Sequence, residues 1–138
     1  MRLHPMLGTL LLVGACGRAT YYTTLNASPS ASPADAIDCV RSQFRTLGYQ
    51  QTSFDQTDFR VAARKVDNSV HRADLQYRRN IDRLEAQAAA AADGKTSLSV
   101  TGRTFAEFET HRGPTEEEEP ASAGVKQSSQ AIVDACGR

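Results

Sequence analysis

Ile81-Asp82-Arg83-Leu84-Glu85-Ala86-Gln87-Ala88, running into Asp93-Gly94 and then Lys95 to Thr104, is the stretch on which the fold turns. Two periodicities meet in it. Tyr77, Ile81, Leu84 and Ala88 recur at helical spacing, and the alanines from Ala88 to Ala92 ahead of Asp93-Gly94 resemble a helix tail closed by glycine. Asp93-Gly94 is equally a two-residue hairpin turn, and Lys95 to Thr104 alternates, with Leu98, Val100 and Gly102 on one side. A strand with one apolar side needs an antiparallel neighbour, and Ile81 to Ala88 is the segment that enters the turn. We therefore read it as a strand, against alanine propensity, because packing overrides propensity.

Working outward from this hairpin, a second one precedes it. Tyr49 to Phe54 and Phe59 to Arg64 flank the polar turn Asp55-Gln56-Thr57-Asp58. Phe59, Val61 and Ala63 share one side, while Arg60 and Arg64 share the other. Asp67-Asn68-Ser69 reads as a loop. Beyond Thr104, Phe105 and Phe108 add bulk, His111-Arg112-Gly113-Pro114 ends the strand, and Glu116 to Glu119 reads as a solvated loop. A calcium loop is the poorer reading of that run, because four consecutive carboxylates lack spaced ligands and a central glycine.

A helix stands at each end of this β-rich middle. Ser32 is placed to cap the first, with Pro33 at its first position and Asp35 completing a capping box. Ile37, Val40, Phe44 and Leu47 form its apolar stripe, Cys39 lies at the stripe's edge, and Gly48 ends it. Ser122 caps the last helix, where Val125, Ser129, Ile132 and Cys136 fall on one side. The order helix, four strands, helix predicts an α+β fold: a small two-layer sandwich with a four-stranded antiparallel sheet and both helices on one face. The opposite sheet face is left for solvent or a partner.

The start of the chain has a different character. Met1-Arg2-Leu3-His4-Pro5 is short and basic, and Met6 to Ala15 is apolar but too short for a bilayer about 30 Å thick. It fits the apolar core of a secretory signal. Val13-Gly14-Ala15-Cys16 resembles the lipobox of bacterial lipoproteins. That resemblance implies cleavage after Ala15, a lipid on Cys16, and an address in the bacterial cell envelope, with Gly17 after the cysteine favouring the outer membrane facing the periplasm. The expected organisation is a signal peptide over 1–15, a lipidated flexible tether over 16–33, rich in Ser, Ala and Pro, and a single domain over 34–138.

With Cys16 assigned to lipid, Cys39 and Cys136 remain, an even number in a compartment that permits disulfides. They are expected to be bonded to each other, linking the two helices. No histidine lies at ligand spacing from a cysteine, so no metal site is expected. With 16 basic and 16 acidic residues the chain lacks the basic field of a nucleic-acid binder.

Catalytic signals are sparse. There is no nucleophile elbow, no phosphate-cradling glycine loop and no cysteine left free, and Glu107 with Glu109 is weak evidence for acid–base work. The chain is thus expected not to be an enzyme and to need no cofactor. Arg60, Arg64, Lys65, Arg78, Arg79 and Arg83 make the middle strands basic, and Glu107, Glu109 and Glu116 to Glu119 make the next section acidic. Two functions fit: an anchored interaction or structural module, using the open sheet face or an edge to hold another envelope protein, or a binder of a small apolar ligand or lipid between helices and sheet, where Ala86, Ala88 and Ala90 leave room. The first is preferred, since five Phe, four Tyr and no Trp are few to line a cavity as well as fill a core.

Overall fold

The computed structural model describes residues 20–138, so the expected signal sequence over 1–15 and Cys16 lie outside the described residues. Along the chain run β1 (Tyr22–Ala27), α1 (Pro33–Thr46), β2 (Gln50–Asp55), β3 (Arg60–Asp67), β4 (Tyr77–Ala90), β5 (Thr96–Thr110), β6 (Gly113–Glu119) and α2 (Ala123–Cys136). All pairings are antiparallel, in the order β1-β5-β4-β3-β2, with β6 also on β5. The sheet has six strands where four were expected.

The segment from Ile81 to Ala88 is a strand, part of the long β4, and its register pairs Ala86 with Val100 and Ala88 with Leu98. Helix propensity loses because every second residue of β4 from Asp82 to Ala88 is buried beneath the helices, among them Leu84, Ala86 and Ala88 at 1% exposure or less. Small side chains there let the helices approach the sheet closely. Gly102, opposite Leu84 on β5, makes the same point: a Cβ on it would stand 2.8 Å from the Ser129 hydroxyl and 2.9 Å from a Val125 methyl.

Two strands were not foreseen. Tyr22 to Ala27, expected as part of a flexible tether, is stitched to β5 from Arg103 to Leu98. Its inward Leu25 and Ala27 are only partly buried, so the pattern is faint and the backbone pairing with β5 holds it. Glu116 to Glu119, expected as a solvated loop, belongs to β6, paired to β5 from Thr110 to Thr104. β6 and β1 therefore lie end to end along one edge of β5, and the Ala121 amide donates to the Thr20 carbonyl where they meet, 3.1 Å apart. β5 accordingly continues to Thr110, past the point where the charge pattern changes.

Both helices lie on one sheet face, α1 chiefly over β4 and α2 over β5 and β1. One core joins Ile37, Val40 and Phe44 of α1, Val125 and Ile132 of α2, and the inward residues of β3, β4 and β5. Each helix is capped as expected: the Asp35 amide donates to the Ser32 hydroxyl and the Val125 amide to the Ser122 hydroxyl. Cys39 and Cys136 are disulfide-bonded, tying α1 to α2 across 97 residues of sequence.

Candidate functional site

The face opposite the helices is open, and register determines what it displays. Residues directly opposite one another on neighbouring strands share a face. Arg64 of β3 stands opposite Arg83 of β4, and Arg83 opposite Arg103 of β5. The row continues to Gln50 on β2 and Tyr22 on β1, so three arginines cross the sheet in line with no acidic residue among them. One row along, Ala62, Glu85 and Thr101 lie side by side; on the other flank are Val66, Ile81 and Phe105. The three arginines, with Ala62, Glu85, Thr101, Phe105 and Thr52, the extra residue of a bulge in β2, border a groove of about 610 Å³.

Like charges directly opposite one another repel. Relief comes from β6. Alternation turns Glu116 and Glu118 onto the open face, and they pair with Arg83 and Arg103, the latter at 3.3 Å. Arg83 reaches Glu116 by lying over the ring of Phe105, 4.5 Å from its centre, and Arg103 lies over Tyr22. Arg64 is exposed and has no ion pair among the described residues. Farther along, Arg79 meets Glu107 at 2.9 Å, Arg78 meets Glu109 at 3.8 Å, and Arg60 meets Glu85 at 3.6 Å.

On the helix side a second concavity, about 470 Å³, opens beside the N-terminus of α2. Its polar lining includes Lys65, Asp82, Gln127 and Ser128. Asp82 is almost fully buried, and the hydroxyls of Thr104 and Ser122 both donate to its carboxylate. Burial pushes its pKa above the ordinary carboxylate value, opposed by those two hydrogen bonds. Tyr49, also bordering this cleft, is pushed up to about 12, chiefly by burial. The Lys65 ammonium donates to the Leu47 carbonyl and lies over the Tyr49 ring rather than joining the open face. Asp82 thus fastens β4 to the cap of α2.

A third cluster sits at the far end of β4. A bulge at Arg78 turns Tyr77 to the helix side, where its ring meets Phe108 edge-on. Arg72 lies over Tyr77 and pairs with Glu119, whose pKa is held below the ordinary value by that hydrogen bond.

Of the residues singled out from the sequence, the structure brings Arg60, Arg64, Arg79 and Arg83 to the open face and separates Lys65 from them. Glu107 and Glu109 are engaged by Arg79 and Arg78. The run Glu116 to Glu119 is dispersed, alternate carboxylates facing opposite sides of the sheet. Among the described residues no group of three or more His, Cys, Asp or Glu side chains is arranged to hold a metal ion. Arg103 was missed, although the alternation that puts Leu98, Val100 and Gly102 inward turns Arg103 outward.

No family model matches the chain, and no curated protein matches it. Among solved structures it is similar to a DUF4468 family protein from Bacteroides ovatus, at 11% sequence identity, over 85% of this chain and 80% of that one, with a TM-score of 0.41.

Proposed function

We propose that this chain is a lipid-anchored protein of the bacterial cell envelope and a non-catalytic interaction module whose working surface is the open sheet face. The observation that carries the reading is the arginine row on a face that neither helix covers. Like charges aligned across three strands cost stability, and a surface kept that way is explained by what it holds. The anchor is supported by Val13-Gly14-Ala15-Cys16 and by the Cys39–Cys136 disulfide, which suits an oxidising compartment such as the periplasm. The outer membrane, facing the periplasm, is the location that Gly17 favours.

The apolar-ligand alternative finds less support. Ala86 and Ala88, whose small size left room for such a ligand, are covered by the core and Ala90 is exposed, while the cleft beside α2 mixes Leu47, Tyr49, Val66 and Ala131 with the charged Lys65, Asp67 and Asp82. Catalysis is disfavoured because the best carboxylate pair is engaged in ion pairs. The test is the intact mass of protein from the membrane fraction, before and after reduction and alkylation. A mass of Cys16 to Arg138 plus acyl chains, with two cysteines alkylated only after reduction, is expected; an unprocessed chain without lipid overturns the reading.

A further inference from the structure

The row Gln50–Arg64–Arg83–Arg103–Tyr22 ends at the strand by which the chain enters the fold. Because β1 begins at Tyr22, and the Thr20 carbonyl already accepts from the Ala121 amide, much of the expected tether over 16–33 belongs to the fold. Only Gly17 to Tyr21 separate Cys16 from the sheet, a span of at most about 20 Å. If Cys16 carries the lipid, the Tyr22 end of the arginine row lies within that distance of the headgroups. Tyr21 and Tyr22 are both more than half exposed there, as amphipathic rings at a bilayer surface are.

The groove itself is suited to an oxyanion. A guanidinium offers paired N–H donors that match phosphate oxygens two at a time. Arg64 has no carboxylate partner among the described residues, and the pairs of Arg83 and Arg103 are exposed enough to be exchangeable. The hydroxyls of Thr52 and Thr101 border the same groove as additional donors. Three guanidiniums on adjacent strands span two strand spacings, about 10 Å. A phosphate group, with more acceptor oxygens than a carboxylate, makes fuller use of them.

We propose that this groove holds the phosphate of an anionic phospholipid headgroup in the membrane that carries the chain's own anchor, so that the domain lies with its open face toward the bilayer. The proposal rests on the lipid-anchor reading for its source of phosphate. Charge complementarity alone would also suit an acidic protein segment; the short tether and the position of Tyr22 favour the lipid. Within the groove, Arg64 is the primary contact, Arg83 and Arg103 are shared between headgroup and β6, and Tyr22 marks the side nearest the anchor.

The experiment uses the full chain carrying Cys16→Ser, which cannot be acylated, with vesicles of phosphatidylglycerol or phosphatidylcholine at about 0.1 M salt. The leader, basic and apolar, is the same in every variant, so it drops out of the comparison between variants, and the groove's share of the lipid preference is the part lost in R64Q/R83Q. Binding to phosphatidylglycerol is expected to be at least about tenfold tighter, weakening about fivefold in R64Q and about 25-fold in R64Q/R83Q. R64K, which keeps charge but loses the fork, should fall between. R78Q, outside the groove, should bind as the parent does, and unchanged thermal unfolding of the variants excludes misfolding. Equal binding to both lipids, or phosphatidylglycerol binding indifferent to R64Q/R83Q, overturns the proposal. So does a tighter interaction with an oligoglutamate peptide, or binding of inorganic phosphate in the groove without vesicle preference. The mass measurement separates the two readings: an acylated Cys16 with no lipid preference removes this proposal alone, whereas lipid preference without acyl chains removes the anchor, and with it the placement of the groove on the anchoring membrane, while headgroup binding by the arginines stands.

Discussion

The two faces of the sheet are made from the same strands, residue by residue in alternation, yet they are held by different forces. The helix side carries Val61, Ala63, Leu84, Ala86, Ala88, Leu98 and Val100, all at 1% exposure or less, and closes around a disulfide and a buried carboxylate. The open side carries the arginine row and cross-strand Arg–Glu pairs that remain wet. Apolar burial and chain closure contribute several kcal/mol per feature, whereas an exposed ion pair contributes 1 kcal/mol or less, roughly. Stability therefore resides chiefly on the helix face, with Ile81 the large buried side chain on the other, and the rest of the open face is free to carry charge for binding.

The strongest way to break this division is to remove the staple. Replacing Cys39 and Cys136 together by serine should lower unfolding free energy by about 4 to 5 kcal/mol, as expected when a closed loop of nearly a hundred residues is opened. Urea unfolding of the oxidised protein and of the double variant measures it. A loss under about 1 kcal/mol would mean that packing of α1 against α2 already fixes the helices without the bond.

Next in size is Gly102, where α2 rests directly on the β5 backbone. Gly102→Ala puts a methyl against the Ser129 and Val125 side chains at separations that real Cβ atoms do not show, so those side chains or α2 itself must give way. A loss of about 1 to 3 kcal/mol is expected from such overpacking. The companion substitution Thr101→Ala, one residue away on the open side, removes only an exposed hydrogen bond to Thr24 and should cost well under about 1 kcal/mol. Equal effects at the two neighbours would erase the distinction between the faces.

Asp82 tests the covered face by pH. Its folded-state pKa is raised above the ordinary 3.8 by burial, so the folded protein holds that proton more tightly than the unfolded chain. The favourable contribution is complete below the unfolded value and is lost as pH rises through the folded one. Relative to Asp82→Asn, the parent should thus gain stability as pH falls from neutral toward 4, read from urea midpoints. Glu119 works in the opposite sense: its pKa is lowered by Arg72, and its contribution is present above the unfolded value and lost as pH falls through the folded one. A parent-minus-variant difference that shrinks toward acid would show that the hydroxyls of Thr104 and Ser122 outweigh burial.

The two faces also differ in how far the sequence disclosed them. The covered face was legible because it writes its own period: 37, 40, 44 in α1, 98, 100, 102 in β5, and 125, 129, 132, 136 in α2 all read directly, and the cysteines followed. The open face is legible only through register. Positions 64, 83 and 103 have no local relation; pairing of β3 with β4 and of β4 with β5 brings them into line. β6 was hidden for a related reason, since four consecutive glutamates alternate in direction without alternating in polarity. Its partners, Arg83, Arg103 and Arg72, lie 15 to 47 residues away in sequence. β1 was hidden by neighbours, a six-residue strand between an apparent anchor and a Ser-Pro tract, with Leu25 its only large inward side chain.

The smallest effect is expected on the open face, at the Arg79–Glu107 pair. The two oppose each other across β4 and β5, 2.9 Å apart, with Glu107 the more covered partner. Neutralising both, in R79Q/E107Q, should change unfolding free energy by no more than about 0.5 kcal/mol, and less at 1 M salt, where the Debye length falls to about 3 Å. The single variant E107Q is the more informative, because it leaves Arg79 beside Arg78 without its carboxylate while preserving shape. If the open face is held chiefly by backbone pairing, E107Q and the double variant will agree within error by urea unfolding. A loss of about 2 kcal/mol or more in E107Q would mean that the Arg–Glu pair, and not the backbone ladder alone, holds β4 to β5 on this face. Stability would then reside on both faces, and carboxylates on the open one could not release their arginines to a ligand without loosening the sheet.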